Sequence, residues 1–144
     1  IIAGILEKVT DMTLFLNPLE SSYQRFGNNK APQYISWSTE NRSQLIRIPA
    51  AVGKYRRAEL RSPDPASNSY LAFALMIYAG LYGIQNQLQL AEPTDINLYK
   101  ADADVLSKFK KLPTTLKDAC ESALNSEFIK QHIPSQILDI YCNR

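Results

Sequence analysis

The sequence predicts an α+β fold in which short antiparallel strands form part of a sheet and helices pack against it. Three observations carry that expectation. Apolar residues recur at helical spacing at both ends of the chain, alternate with polar residues between positions 34 and 61, and form one long uncharged run from Tyr70 to Ile84. Ile2, Ile5, Leu6 and Val9 place a helical face over Ile1 to about Val9, and Asn17-Pro18 and Gly27-Asn28-Asn29 mark the loop that follows. Tyr34–Trp37, Leu45–Ile48 and Arg57–Arg61 read as strands, each with an apolar side (Ile35 and Trp37; Ile46 and Ile48; Ala58 and Leu60). The link from Ala50 to Tyr55, with Gly53 inside it, is short enough to make the second and third strands a hairpin.

Residues 66–91 carry no charge, and the apolar run within them falls short of the about 20 residues a membrane span needs, so a core helix buried on most sides is expected. Thr115 then offers an N-cap to a helix bearing Leu116, Ala119, Cys120, Ala123 and Leu124, and two short helices follow, around Phe128 and from Ile137 to Tyr141.

With 144 residues, 45% hydrophobic and 21% charged, the chain is expected to be a single partial domain spanning 1–144. It opens on Ile1-Ile2-Ala3 without an initiator Met, as a piece of something longer would. No internal repeat or low-complexity tract is evident. Cys120 and Cys142 lie far apart in helical sequence without metal-ligand spacing, so reduced, buried thiols are expected. With His132 the one histidine, next to Ile133-Pro134, a Cys/His nucleophilic pair or His-rich metal site is disfavoured.

The net charge of +2 hides a cationic region. Between Ser22 and Arg61 the bases Arg25, Lys30, Arg42, Arg47, Lys54, Arg56, Arg57 and Arg61 face only Glu40 and Glu59. Such a field attracts phosphate-bearing ligands. The bases are scattered among Ile, Leu, Trp and Pro, which suits a folded pocket better than a nucleic-acid arm, and no aromatic stacking series accompanies them. Within Arg57-Ala58-Glu59-Leu60-Arg61, alternation sets one carboxylate between two guanidiniums on one strand face. Arginine forks grip phosphate or carboxylate, and a carboxylate beside them suits the divalent cation that accompanies nucleotide phosphates. A plain surface strand laced with ion pairs is the alternative reading.

Asn41-Arg42-Ser43, Ile46-Arg47-Ile48-Pro49, Glu59-Leu60-Arg61-Ser62-Pro63-Asp64-Pro65 and Tyr70-Leu71-Ala72-Phe73-Ala74 resemble, in order and spacing, the C-terminal half of the catalytic domain of bacterial type I glutamine synthetases. Ala3-Gly4-Ile5-Leu6, Asn17-Pro18, Ser22-Tyr23-Gln24-Arg25 and Ala31-Pro32 before them, and Gly80-Leu81, Gly83-Ile84, Asn97-Leu98-Tyr99 and Leu112-Pro113 after them, extend the likeness over essentially the whole chain. The resemblance implies an ATP-dependent glutamate–ammonia ligase acting through an acyl phosphate, with Mg²⁺ or Mn²⁺, in a large homo-oligomeric ring in the cytoplasm, which the expected free thiols also favour. It implies that Glu59 is a metal ligand, that Arg42 and Arg47 contact ATP phosphates and the transferring phosphoryl group, making Arg42 catalytic, and that Lys54 and Arg57 lie on the nucleotide side. Arg25 and Arg61 match arginines that bind the carboxylates of glutamate.

Two departures follow from the same resemblance. Where the family carries a flap glutamate before Ala-Pro, this chain has Lys30, which would repel ammonium; a ligase using another amine, or a non-catalytic homologue, is the alternative. The family's earlier motifs, including most metal ligands, would precede Ile1, so this chain alone is expected to be inactive. Tyr99 matches a position that some members modify, and nothing local argues for modification here.

Overall fold

The computed structural model describes residues 1–28 and 31–143; the flap position Lys30 lies outside the described residues. The chain is helix-rich α+β. Helix α1 (Ile2–Leu16) continues well beyond Val9 and stops where Asn17-Pro18 interrupts it. A single turn, α2 (Glu20–Tyr23), leads to β1 (Trp37–Ser38), β2 (Ile46–Arg47), a 3₁₀ turn over Gly53–Tyr55, and β3 (Glu59–Leu60). Five helices follow: α3 (Ser69–Gln85), α4 (Ala103–Leu106), α5 (Leu116–Asn125), α6 (Glu127–His132) and α7 (Ser135–Cys142).

β2 and β3 fall within the segments the alternation marked, β1 overlaps its segment only at Trp37 and runs on to Ser38, and the sheet is mixed. β2 and β3 are antiparallel, as expected of a hairpin-like link, whereas β1 and β2 run parallel, Trp37 opposite Ile46 and Ser38 opposite Arg47. The correction has a local cause. Ser38 Oγ accepts from the amides of Glu40 and Asn41 and donates to Asp95 Oδ1 at 2.8 Å, which turns the chain out of β1 into a loop tied to residues 95–98. Buried Ser43 and Gln44 add to that tie: Ser43 Oγ accepts from Leu98 N at 2.8 Å and Gln44 Nε2 donates to Ile96 O at 2.7 Å. The chain therefore re-enters the sheet in the original direction.

The helix ends follow local chemistry. Asn68 Oδ1 accepts from the amides of Tyr70 and Leu71 and so starts α3. Thr115 Oγ1 caps α5 through Asp118 N at 3.0 Å, as its position predicted. Ser126 starts α6 by accepting from Ile129 N and also donates to Asp11 Oδ2 of α1 at 2.7 Å, joining cap to core.

The core sits between α1 and the helices laid across it. Val9, Met12, Phe15 and Leu16 of α1 are buried with Leu75 and Ala79 of α3, Ala119 and Ala123 of α5, and Ile129 of α6. α1 and α3 approach until backbone meets backbone. A Cβ on Gly83 would stand 2.7 Å from Gly4 N, and one on Gly4 would stand 2.1 Å from Ala79 O. These glycines are present because no side chain fits between the two helices.

α3 corrects a second expectation. It buries Ala72, Leu75, Ala79, Gly80 and Gly83, while Phe73 and Ile77 are 61% and 62% exposed. Its packing partner is α1, which covers one face. An all-apolar sequence does not fix how many faces the described chain covers. Among the described residues no helix is long and apolar enough to cross a membrane.

The expected free thiols are also corrected: Cys120 of α5 and Cys142 of α7 form a disulfide. Their separation of 22 residues in sequence hides the packing of α7 on α5, which brings the two Cα atoms to 5.5 Å. Closing a loop of that length restrains the unfolded chain by about 3 kcal/mol. Reduction should therefore lower the stability of the chain by that order in urea titrations run with and without dithiothreitol. Identical midpoints, or two titratable thiols under non-reducing conditions, would contradict the bond.

Candidate active-site wall

The charged residues meet at the β2–β3 pairing. The antiparallel register sets Arg47 directly opposite Glu59. From there Arg47 Nη1 lies 3.4 Å from Glu59 Oε2, and Arg57 reaches Oε1 with Nη2 at 2.9 Å and Nε at 3.1 Å. One carboxylate thus holds two guanidiniums, as the alternation in 57–61 anticipated for Arg57. The partner on its other side is Arg47 from the neighbouring strand, however, and not Arg61. Arg47 is the more sheltered base, its side chain 19% exposed against 56% for Arg57, and its Nε is fixed by the Glu40 carbonyl at 3.1 Å. Arg47 is anchored by a backbone carbonyl as well as by Glu59, whereas Arg57 is more exposed and is held through Glu59 Oε1.

Partial desolvation works to raise the Glu59 carboxyl, and the hydrogen bonds and charges of Arg57 and Arg47 outweigh it, leaving the group below its ordinary carboxylate value. The sign follows from linkage. A depressed carboxylate contributes stability that is present above its unfolded-state value and is lost as pH falls through the folded one. A carboxyl-carbon NMR titration should find the Glu59 midpoint below the ordinary glutamate value. A midpoint at or above that value would show the two arginines disengaged in solution.

The other predicted residues form two neighbouring knots. Arg61 Nη1 donates to the Arg42 carbonyl, which Tyr99 Oη also approaches at 3.5 Å. Burial pushes the Tyr99 phenol up while the charge of Arg61 pulls it down. Arg42 enters this contact by its backbone, and the residue is exposed. Arg25 is held by Asn17 Oδ1 at 3.3 Å, by the Ser62 carbonyl at 3.1 Å, and by Asp64 Oδ2, which lies 3.4 Å from its Nε as an ion pair without hydrogen-bond alignment. Lys54 stands on the 3₁₀ turn, its Nζ 5.4 Å from the centre of the Tyr55 ring. The structure thus gathers Arg47, Arg57 and Glu59, places Arg61 and Arg25 along the same 59–64 strand-and-loop segment, and leaves Lys54 on a separate projection.

A groove of about 510 Å³ opens beside the sheet, lined by Ala58, Glu59 and Leu60 on one side and by Ile1, Phe73 and Met76 on another. Glu59 lines it; Arg42 and Arg47 do not. Sequence reasoning missed Asp64 and Asn17 as partners of Arg25 and Tyr99 as a neighbour of Arg42. The motif Ser62-Pro63-Asp64-Pro65 signalled a fixed turn but not what it holds. No group of three or more His, Cys, Asp or Glu that would hold a metal occurs among the described residues. Glu59, with both oxygens already engaged by arginines, does not make a metal site by itself.

The catalytic-domain model of glutamine synthetase matches this chain over residues 1–144. The chain belongs to the glutamine synthetase catalytic-domain family. It corresponds to the C-terminal part of that domain. Glutamine synthetase of Methanosarcina mazei is 43% identical over 143 residues, covering 97% of this chain and 32% of the relative. That of Staphylococcus aureus strain MW2 is 39% identical over 144 residues, covering 98% and 32%. A solved GmaS/ADP complex superposes with a TM-score of 0.83 at 28% identity, over 99% of this chain and 33% of that one. The chain therefore spans about a third of the length of these glutamine synthetases, and the mixed sheet with its helices is a glutamine synthetase-like fold.

Proposed function

We propose that these 144 residues, as one partial domain, form the phosphate- and carboxylate-binding wall of an ATP-dependent glutamate–amine ligase. The observation that carries the reading is the Arg47–Glu59–Arg57 cluster, set across an antiparallel register in a chain of this family. The solved relative is a complex with ADP, which supports the nucleotide side of it. Arg47, Arg57, Lys54 and the catalytic candidate Arg42 take the nucleotide phosphates; Arg61 and Arg25 take the carboxylates of the amino acid.

Transfer of a phosphoryl group to a carboxylate demands charge stabilisation above all, because negative charge gathers on the phosphate oxygens while little bond-making is left to the protein. Arg47, already oriented by the Glu40 carbonyl, supplies a fixed charge at no reorganisation. Arg57 supplies a second, more exposed one. Glu59 keeps both from collapsing elsewhere before ligand arrives, and would give one oxygen ligand to Mg²⁺ or Mn²⁺ alongside ligands from outside these residues. When bound, such a cation neutralises phosphate charge. The described residues do not hold it alone.

The chain alone is then inactive, and the ring assembly and cytoplasmic setting belong to the whole enzyme. The setting now rests on the ATP requirement only, because the Cys120–Cys142 bond removes the argument from free thiols. Lys30, at the place of the flap glutamate, favours a second reading in which the amine is larger than ammonia. Amine-dependent phosphate release decides between them. The assay uses this chain joined to the remaining two thirds of the Methanosarcina mazei enzyme, with ammonium and larger amines as acceptors, for the native residue and for Lys30→Glu. Release with none of the amines overturns the ligase reading.

A further inference from the structure

Asp95 is remote in sequence from every residue of the arginine wall, yet a chain of hydrogen bonds leads from it to Arg47. Ser38 Oγ donates to Asp95 Oδ1 at 2.8 Å and accepts from the amides of Glu40 and Asn41, each at 3.1 Å. A hydroxyl has one hydrogen to give and two lone pairs to offer, so these three bonds use its whole capacity and fix its rotor. Ser38 is fully buried. One planar peptide unit then carries the constraint onward, because it joins the Glu40 carbonyl to the Asn41 N–H and the two groups point in opposite directions. Ser38 holds the N–H end. Arg47 Nε donates to the carbonyl end at 3.1 Å.

We propose that Asp95 is a positioning residue for Arg47, acting through the Ser38 hydroxyl and the Glu40–Asn41 peptide to aim that guanidinium before a ligand arrives. Without the carboxylate, the Ser38 hydrogen must turn to another acceptor, and the lone pairs that hold the two amides turn with it. The path of the backbone does not depend on this side chain, since other bonds hold it on both sides of Asp95. Thr94 N donates to Trp37 O at 2.8 Å, Gln44 Nε2 to Ile96 O at 2.7 Å, and Leu98 N to Ser43 Oγ at 2.8 Å. What Asp95 adds is the orientation of one hydroxyl. Arg57 lies off this route, because its bonds run to Glu59 Oε1, so Asp95 governs only one of the two arginines. A charge aimed in advance stabilises phosphoryl transfer without reorganisation, which is what the relay would supply. Asp95 bears on the reaction only if Arg47 takes phosphate, as proposed above. Its hold on Arg47 is measurable with no nucleotide present, so the two readings fail separately.

The test is exchange of the Arg47 Nε hydrogen with solvent, followed by NMR in this 144-residue chain without nucleotide. In Asp95→Ala that exchange should quicken about tenfold, the effect of losing one well-made hydrogen bond. The Arg57 Nε hydrogen and the urea midpoint should stay as in the native chain. Asp95→Asn keeps an oxygen that can accept from Ser38, and it should restore native exchange at Arg47. Ser38→Ala should quicken exchange as Asp95→Ala does, and the double variant should be no faster than Ser38→Ala alone, because the hydroxyl is the route between the two residues. Unchanged exchange in both Asp95→Ala and Ser38→Ala, equal quickening at Arg57, or additive effects in the double variant would overturn the proposal. So would Asp95→Asn exchanging as fast as Asp95→Ala, or an Asp95→Ala chain that fails to fold, which would make the carboxylate a support of the segment itself.

Discussion

Gly83→Ala is expected to destabilise the chain by about 3 kcal/mol, although alanine is the better helix former. In an open helix the exchange gains about 1 kcal/mol. At Gly83 the new methyl would stand 2.7 Å from Gly4 N and 2.8 Å from Gly4 Cα, and neither atom can rotate away because both are backbone of α1. The helices must separate, and the loss falls on the core between them, where Val9, Met12, Leu75 and Ala79 are buried. Gly80→Ala is the internal control. The nearest atoms to its Cβ would all belong to the side chain of Ile1, Cγ2 at 3.2 Å and Cβ and Cγ1 at 3.9 and 4.0 Å, and Ile1 is a largely exposed terminal residue, so the helix preference should prevail and stability should hold or rise slightly. Urea unfolding followed by circular dichroism measures both. A neutral Gly83→Ala would mean that α1 and α3 do not cross this closely in solution.

Glu59→Gln in the joined, assembled enzyme is expected to lower amine-dependent phosphate release on the order of 10²- to 10³-fold. The substitution keeps the shape of the side chain and removes its charge. Without the carboxylate, Arg57 loses both of its bonds to Oε1 as charge-assisted contacts, Arg47 keeps only the Glu40 carbonyl, and the proposed cation loses a ligand. Binding of metal-free ADP should be unchanged or tighter, because two cations are left without their counter-charge. This pairing of lost turnover with retained anion binding separates a functional Glu59 from a merely structural one, which would lose both together. Arg47→Lys should also be impaired, since an ammonium cannot span the Glu40 carbonyl and Glu59 as the planar guanidinium does. Full activity in Glu59→Gln would remove Glu59 from the reaction.

What was readable in the sequence was what local chemistry decides. The Thr115 cap, the strand positions within 45–48 and 57–61 and the Glu59–Arg57 pairing each depend on residues within a few positions of one another. The first helix was read short, to about Val9 instead of Leu16, and the larger misreadings concern partners supplied from far along the chain. The direction of β1 relative to β2 depends on Asp95 and residues 96–98 receiving the bonds of Ser38, Ser43 and Gln44. The disulfide depends on α7 lying on α5, and the bare side of α3 on what does not cover it. Arg25 shows the same limit at the site. Its charge was plain, yet its hold on Ser62 and Asp64 crosses 37 and 39 positions of sequence.

If Arg47 and Arg57, drawn together by Glu59, receive nucleotide phosphate, the arginine side-chain Nε signals of this 144-residue chain will report it by NMR while ADP is added. The Arg47 and Arg57 signals should move together, with saturation only in the millimolar range because the rest of the site is missing, and adenosine should leave them in place. ADP shifting other arginines while these two stay still, or adenosine moving them equally, would contradict phosphate binding by this pair.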